Sequence, residues 1–554
     1  MSAAELRARA LAAARAGDFE AAASLFEEAI ALHPRDAALL NSAGGFYAGR
    51  DRPDRALRFY DQALAVAADY AEAALNRAVV LSKMGRDEEA RDWLHAREST
   101  LRAEPRYWSA RAAAERSAGD RTAAASSYDA CLRLDPSHAR AAHGRARVAL
   151  ERGEPDMAER YRAALATTPG DPQVWLGYAE ALDYASRASE ARSVAERLVA
   201  QAPGWTDALE LLARLRWAAG EGLGFCDHYP GAVARAEGDP APWRSWCRML
   251  AGVDEYAEAA KVAARAHGAF PRDPLFALME AVHAGEAGDD ARAEAIFATH
   301  AGGGRDWLVN EARHRLRRRE FDRAESLLAD ALATDGSDVA AWALRDLGWR
   351  ATGDSRTEWL HGHPAFSRLL DLDLTSGELA KVVGLLDRLH DDAPVPVGQS
   401  VRSGTQTRGA LFDRTDTELA PLRRAIGEAL ERYRAALPHA DPAHPLLARR
   451  DQPWTIVGSW SIRLFGGGRH AHHIHPQGLV SSATYLVVPP ADLPGDGALE
   501  LGRPPSDLRL DLPPVSVLRP LVGRLALFPS TLYHGTRPFA NGKRMTVAFD
   551  VQAP

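Results

Sequence analysis

The sequence predicts a multidomain α + β protein in which a long array of helix pairs precedes a domain of short β-strands. Small and bulky residues recur with a period of about 34 residues in the first part of the chain. From residue 455 onward, short apolar alternations are separated by clusters of glycine, proline and aspartate, which is typical of a β-sandwich or barrel. Most of the 554 residues are therefore expected to form a repeat scaffold.

Composition excludes several classes of function. The formal charge of -7 and the hydrophobic fraction of 46% are those of a mildly acidic globular protein and predict neither nucleic-acid nor membrane partners. The chain has three cysteines and no CxxC pair, so a disulfide framework or zinc knuckle is not expected. The first residues lack a signal-peptide core, and we expect a cytoplasmic protein. The oligomeric state stays open.

The repeat is defined by a small residue in each period and a bulky residue four positions later, a series that Arg162 interrupts. The members are Ala22 with Phe26, Ala56 with Tyr60, Ala90 with Leu94, Ala124 with Tyr128, and Ala158. Glycine turns and prolines separate the predicted helices. The pattern resembles the tetratricopeptide repeat, whose helix pairs have this period. We predict such a solenoid over residues 1–354, regular to about residue 205 and divergent after it.

A stacked array of helix pairs usually presents a concave groove. We expect this groove to bind a protein or peptide, with a purely structural spacer as the alternative. Residues 355–398 contain closely spaced leucines ended by Ala393-Pro394-Val395-Pro396, and they predict a helical connector. The polar residues 399–407 predict a loop or an edge strand, and the apolar periodicity of residues 419–437 predicts an amphipathic helix that packs on a sheet.

Candidate metal ligands lie in the β-rich part. Residues 471–475 are predicted as a strand, in which His473 and His475 project from one face because side chains alternate. His472 is then expected on the opposite face. His534 follows the predicted strand 524–528 and could supply a third imidazole, the kind of ligand that suits a redox-active first-row metal.

Candidate anion-binding residues follow in the same region. Arg544 and Thr546 share a strand face and could bind one end of a dicarboxylate, to which Tyr485 could add its phenol. Arg463 and Arg402 are weaker candidates for the other carboxylate or for the substrate, with surface salt bridges as the alternative. Gln406 is a further weak candidate for substrate contact. The Pro- and Gly-rich residues 489–507 predict a lid.

Residues 399–554 resemble the 2-oxoglutarate- and Fe(II)-dependent oxygenases that follow tetratricopeptide arrays in bacterial proteins, relatives of the prolyl hydroxylase superfamily. The matching segments are 458–464, 473–476, 481–486, 523–530, 534–536 and 544–550. The resemblance implies a double-stranded β-helix, or jelly-roll, with flanking helices. It implies Fe(II) bound by an HxD or HxE motif and a distal histidine, and an arginine followed two residues later by Ser or Thr for the far carboxylate of 2-oxoglutarate.

This chain departs from that pattern at His475, where the family usually has Asp or Glu. A site of three neutral imidazoles would have one unit more positive charge, which should favour Fe(II) and alter oxygen activation. Alternatively, His475 could support another ligand or contact substrate, leaving a two-histidine site completed by water.

Together these features predict an Fe(II)- and 2-oxoglutarate-dependent oxygenase that hydroxylates a protein or peptide recruited by the repeats. One alternative is a non-catalytic repeat adaptor with an inactive or metal-sensing domain. A weaker alternative is a three-histidine dioxygenase that needs no 2-oxoglutarate.

Overall fold

A computed structural model describes residues 1–299, 303–490 and 495–553. The chain forms two compact units, Met1–Ala181 and Leu182–Pro554. This division differs from the predicted domain boundaries at residues 354 and 398, which stay predictions. No helix in the described residues has the length and hydrophobicity needed to cross a lipid bilayer.

The first unit consists of consecutive helices, the last of which runs across the unit boundary. They are α1 (Ala3–Arg15), α2 (Phe19–Leu32), α3 (Ala37–Ala48), α4 (Pro53–Val66), α5 (Ala71–Lys83), α6 (Asp87–His95), α7 (Glu98–Leu101), α8 (Pro105–Ser117), α9 (Arg121–Leu134), α10 (Ala139–Glu151), α11 (Met157–Thr167) and α12 (Pro172–Tyr184).

The small and bulky residues of the repeat are buried where neighbouring helices cross. All five alanines of the predicted series are buried, as are Phe26, Tyr60, Leu94 and Tyr128. Arg162 is exposed, and the adjacent Tyr161 takes the buried position. Glycines on the partner helix make room for three of the tyrosine rings, and an added Cβ would approach the ring to 2.3–2.5 Å: Gly44 at Tyr60, Gly144 at Tyr128 and Gly177 at Tyr161.

The second unit begins with further helices and ends with the strands. Its helices are α13 (Ala188–Gln201), α14 (Thr206–Ala218), α15 (Tyr229–Arg235), α16 (Ala241–Ala251), α17 (Tyr256–Ala269), α18 (Pro274–Glu286), α19 (Asp290–Thr299), α20 (Arg305–Arg317), α21 (Phe321–Thr334), α22 (Val339–Thr352), α23 (Arg356–His361), α24 (Ser376–Asp391) and α25 (Leu419–Ala436). Short 3-10 helices lie at Gly222–Cys226, Leu411–Asp413, Leu447–Arg449 and Ser506–Leu508.

Two antiparallel sheets form the β-rich part, which confirms the predicted multidomain α + β class. The strands are β1 (Arg368–Asp371), β2 (Val401–Gln406), β3 (Thr455–His470), β4 (Val480–Val487), β5 (Leu499–Leu501), β6 (Ser516–Leu518), β7 (Arg524–Pro529), β8 (His534–Thr536) and β9 (Lys543–Gln552). The larger sheet has the order β1-β7-β4-β9-β3-β2, and the smaller has the order β6-β5-β8.

The predicted helical connector 355–398 is wrong in its middle, because β1 is a strand of the larger sheet and pairs antiparallel with β7. Leu370 packs against the core cluster around α25, whereas Leu369 packs against the cluster between the sheets. Both faces of this strand are therefore covered by apolar residues. The strand has only four residues, Arg-Leu-Leu-Asp, too few for strand alternation to be recognised among the surrounding leucines, which explains the error.

Three further predictions concern the elements of residues 399–475. Helix α25 matches the predicted amphipathic helix and packs Leu422 and Ile426 against the larger sheet. Residues 399–407 contain the edge strand β2. Residues 471–475 do not form the predicted strand: the chain leaves the larger sheet after His470 and makes only one isolated bridge, between His473 and His534 of the smaller sheet.

Adjacent glycines of α3 provide a test of the repeat packing. We expect Gly45→Ala to stabilise the first unit by up to about 1 kcal/mol, because alanine has the higher helix propensity and the new Cβ lies 3.9 Å from the nearest atom, Tyr60 Oη. Gly44→Ala should instead destabilise it by about 1–3 kcal/mol, because its Cβ would lie 2.5 Å from Tyr60 Cε1. Hydrogen exchange of α3 and α4 amides in the full chain measures both effects. Equal stabilisation by the two substitutions would contradict this packing.

Candidate metal centre

Three histidines converge at the junction of the two sheets. His473 and His475 lie in the irregular segment after β3, and His534 begins β8. One potential ligand nitrogen from each ring lies within 4.8 Å of the other two. The backbones of His473 and His534 exchange two hydrogen bonds, of 3.0 and 2.9 Å, so the irregular segment is fixed against the smaller sheet. The predicted trio is therefore brought together despite the missing strand.

Each of the three rings has its Nδ1 atom engaged by an oxygen acceptor. His473 Nδ1 donates to the Ala471 carbonyl at 2.8 Å, and His534 Nδ1 donates to the Leu532 carbonyl at 3.2 Å. His475 Nδ1 donates to the Asp550 carboxylate. Because carbonyl and carboxylate oxygens have no proton to give, each Nδ1 must carry the hydrogen. In the neutral tautomers that result, every Nε2 presents a lone pair.

These lone pairs face one another at short range. The Nε2 atoms of His473 and His475 are 3.1 Å apart, and burial lowers the pKa of His473 to about 3 and holds the pKa of His534 well below its usual range. A proton on His473 or His534 is therefore disfavoured, so the Nε2 atoms of these two rings are lone-pair donors that can bind a metal ion. The donor set fits a first-row transition metal, for which imidazole is a common ligand.

Helices of the same unit fix the turn that precedes His534. Thr531 Oγ1 lies 2.9 Å from His361 Nε2, and His361 Nδ1 lies 3.1 Å from a carboxylate oxygen of Asp346 on α22. Two residues after Thr531, Tyr533 accepts a 3.2 Å hydrogen bond from Arg313 of α20. The turn is thus attached to two helices, which fixes the position of the imidazole that follows it.

The imidazoles line a cavity of about 670 Å³ that also receives one face of β9. Arg544, Thr546, Ala548 and Asp550 all line it, as expected for alternate residues of a strand. Tyr485 pairs with Thr546 across β4 and β9, and the Arg544 guanidinium carbon lies 5.3 Å from the Tyr485 ring centre. Three of the predicted anion-binding residues are therefore neighbours.

Arg544 is a buried cation without a carboxylate partner among the described residues. It is 2% exposed, its Nε atom has no hydrogen-bond partner in that part of the chain, and the Tyr485 hydroxyl interacts with its guanidinium. Burial also lowers the pKa of Arg544. A buried, unpaired guanidinium is unfavourable unless an anion or polar ligand satisfies it. These two side chains therefore fit a carboxylate group at one end of the cavity.

Arg463 does not take part in this arrangement, and its position corrects the predicted cofactor contact. Trp460 and Ile462 of β3 line the cavity, whereas Arg463 lies on the opposite face of the strand. There its guanidinium pairs with Asp391 at 2.8 Å and Asp387 at 3.4 Å.

The two weaker candidates line the cavity. Gln406 does so on β2. Arg402 also lines it, but its guanidinium is neutralised by Asp254 at 2.6 Å. Tyr256, which begins helix α17, lies beside them and donates a 3.1 Å hydrogen bond to the same Asp254 carboxylate. Sequence reasoning gave no indication of this tyrosine, because its place in the cavity depends on the packing of a distant helix. His472 is not part of the trio, and its Nε2 lies 3.2 Å from a Glu500 carboxylate oxygen; its predicted place on an opposite strand face does not apply, because the strand does not form.

Two other residues at the site were not expected to take part in it, although the sequence offers Asp550, like Glu500, as a carboxylate that could complete the ligand set. Asp550 follows the two-residue spacing of Arg544 and Thr546, so strand alternation alone could have identified it. The Ser400 hydroxyl lies 3.2 Å from His473 Nε2 and 3.0 Å from His470 Nδ1, a contact with no signal in the sequence. Of the predicted lid 489–507, residues 491–494 lie outside the described part of the chain.

Comparison with known proteins identifies both parts of the chain. Residues 458–550 match the family described as "Putative 2OG-Fe(II) oxygenase". Two tetratricopeptide repeat families match the N-terminal part, at residues 7–65 and 109–172 and at residues 47–114 and 158–215. The chain therefore contains tetratricopeptide repeats and a C-terminal domain similar to that oxygenase family.

Individual proteins that match this chain share less than 30% sequence identity with it. Protein FlbA of Caulobacter vibrioides is 29% identical over 167 residues, which are 30% of this chain and only 28% of that relative. A tetratricopeptide repeat protein from Parabacteroides merdae has 17% identity and a TM-score of 0.36, over 44% of this chain and 97% of its own. A thermophilic tetratricopeptide repeat protein of Thermus thermophilus has 21% identity and a TM-score of 0.29, over 33% of this chain and 99% of its own.

Metal binding can be tested directly with the full chain. We expect the protein to bind one Co(II) or Fe(II) under anaerobic conditions, and His473→Ala or His534→Ala to weaken binding by more than the roughly 10- to 100-fold typical of losing an outer hydrogen-bond partner. His472→Ala is the matched control, because this neighbouring imidazole is bound to Glu500 instead. Calorimetric titration measures the affinities. Equal losses in all three variants would contradict the assignment.

Proposed function

We propose that this protein is an Fe(II)- and 2-oxoglutarate-dependent oxygenase that hydroxylates a protein or peptide recruited through its repeats. The observation that carries the proposal is the presence, in one cavity, of three imidazoles with converging lone pairs and a buried arginine without an acidic partner among the described residues. A metal alone would account for the imidazoles but not for Arg544. A metal together with a carboxylate-containing cosubstrate accounts for both.

In this proposal His473, His475 and His534 hold the iron, each through Nε2. Bound Fe(II) would supply the activation of oxygen that is coupled to oxidation of 2-oxoglutarate to succinate and carbon dioxide. Arg544 binds the far carboxylate of the cosubstrate, supported by Tyr485 and Thr546. These residues orient the cosubstrate and exclude water, because Arg544 and Thr546 are almost fully buried.

The part of the cavity that lies outside the metal and cosubstrate sites is available for substrate. Trp460 and Tyr256 line it together with Gln406, and the charge of Arg402 is neutralised by Asp254. Tyr256 belongs to a helix of the second unit, so a substrate that enters the cavity contacts helices as well as sheet. The tetratricopeptide match supports a protein or peptide as substrate. The three cysteines are free and buried, in keeping with a reducing cytoplasm.

A non-catalytic adaptor is the second candidate, and the observation that favours it is the imidazole of His475 at a position where the resemblance leads us to expect a carboxylate. Such a protein would bind a metal without turnover. A three-histidine dioxygenase would instead turn over without 2-oxoglutarate, and Arg544 would then be dispensable.

Cosubstrate binding separates these candidates before any substrate is known. We expect anaerobic Fe(II) and 2-oxoglutarate to give a visible charge-transfer band with the native protein. Arg544→Ala should weaken 2-oxoglutarate binding by about 30-fold or more, the effect of truncating one side of a buried charge pair, while metal affinity stays within a few-fold. Arg469→Ala is the control, because this arginine of β3 is exposed and outside the cavity.

The band and the formation of succinate in air are the two measurements. An iron-loaded protein that gives neither would exclude the oxygenase and leave the adaptor. Cosubstrate-free oxygen consumption that survives Arg544→Ala would identify the third candidate instead.

A further inference from the structure

We propose that Asp550 is a positioning residue that supplies, through His475, the negative charge that a carboxylate ligand would otherwise bring to the metal. The inference rests on the metal site of the proposed function and extends it. It assigns a role to a side chain that neither the ligand set nor the cosubstrate site includes.

The geometry singles out the contact between Asp550 and His475. The Asp550 carboxylate accepts the Nδ1 proton of His475, so the ring presents Nε2 to the other two imidazoles. Within the described residues Asp550 has no lysine or arginine partner, and His475 is its one ion-pair contact. No cationic side chain among the described residues therefore neutralises the Asp550 carboxylate. The side chains of His475 and Asp550 are 15% and 20% exposed, so water screens the contact only partly.

The other two rings of the trio have a different environment. Their Nδ1 atoms donate to neutral backbone carbonyls of Ala471 and Leu532. Only His475 has an anionic acceptor, and a carboxylate behind a metal-bound histidine both fixes the ring and raises its basicity as a ligand. The three rings are therefore not equivalent, and His475 is the strongest donor of the set.

The contact between Asp550 and His475 affects the charge balance of the metal site. Three neutral imidazoles leave the full double charge of the metal ion uncompensated in a largely buried site, which is unfavourable. Asp550 restores one negative charge at a distance of one imidazole ring. In this chain the negative charge lies on residue 550 of β9, directly behind His475, which transmits its effect.

Another carboxylate near the histidines lacks this property. Glu500 contacts His472, but it also pairs with Arg503 and Arg537, each at 2.7 Å. Its charge is more than balanced by these two arginines, and its imidazole contact, His472, is not one of the trio. The negative charge available to the metal site thus comes from Asp550.

A double-mutant cycle on the full chain tests the proposal. Co(II) affinity and the visible Co(II) spectrum are measured anaerobically for the native protein, Asp550→Asn, His475→Asp and the double variant, with melting temperature as the check on folding. We expect Asp550→Asn to weaken Co(II) binding by about 10- to 100-fold and to shift the Co(II) band. We expect His475→Asp to keep the metal, because it places a carboxylate directly at the site.

In the His475→Asp background, Asp550→Asn should change the affinity by less than about threefold, because no imidazole remains to transmit the charge. An equal loss of Co(II) affinity in both backgrounds would show that Asp550 acts only on the structure and not through His475. No effect on the native protein, or loss of metal by a folded His475→Asp variant, would also overturn the proposal. Failure of the native protein to bind Co(II) at all would instead refute the proposed function, so the two failures are distinguishable.

Discussion

The arrangement of the site depends on one constraint, the engagement of all three histidine Nδ1 atoms by oxygen acceptors. His473 and His534 are fixed by carbonyls two residues earlier in their own segments, and His475 is fixed by a side chain of β9. The local backbone therefore sets the orientation of two rings, whereas tertiary structure sets the third. Only when all three contacts form do the Nε2 lone pairs converge on one point.

Other elements of the second unit hold the residues around the converging nitrogens in place. The helices anchor the turn before His534 through His361 and Arg313, and the larger sheet delivers Arg544 and Asp550 on one face of β9. Polar contacts of this kind contribute little net stability individually. Their effect is positional, because a buried donor or acceptor that loses its partner is strongly disfavoured.

Sequence reasoning succeeded where residues of one chemical type recur at the spacing of a helix pair or of a strand. The repeat period placed the buried alanines, and two-residue alternation placed Arg544 and Thr546 together. It failed at β1, which is only four residues long and packs a leucine on each face, and at Arg463, which lies on the face of β3 opposite the cavity. Contacts such as Ser400 with His473 join residues far apart in the chain, and no local pattern encodes them.

The central claim is that three imidazoles hold the metal with Asp550 behind one of them. The most direct measurement is an anomalous-scattering map from crystals of the protein loaded anaerobically with Fe(II). The account predicts one ion bonded to Nε2 of His473, His475 and His534, with Asp550 still hydrogen-bonded to His475 Nδ1. An ion bonded to the Asp550 carboxylate, or bound by only two of the histidines, would contradict it.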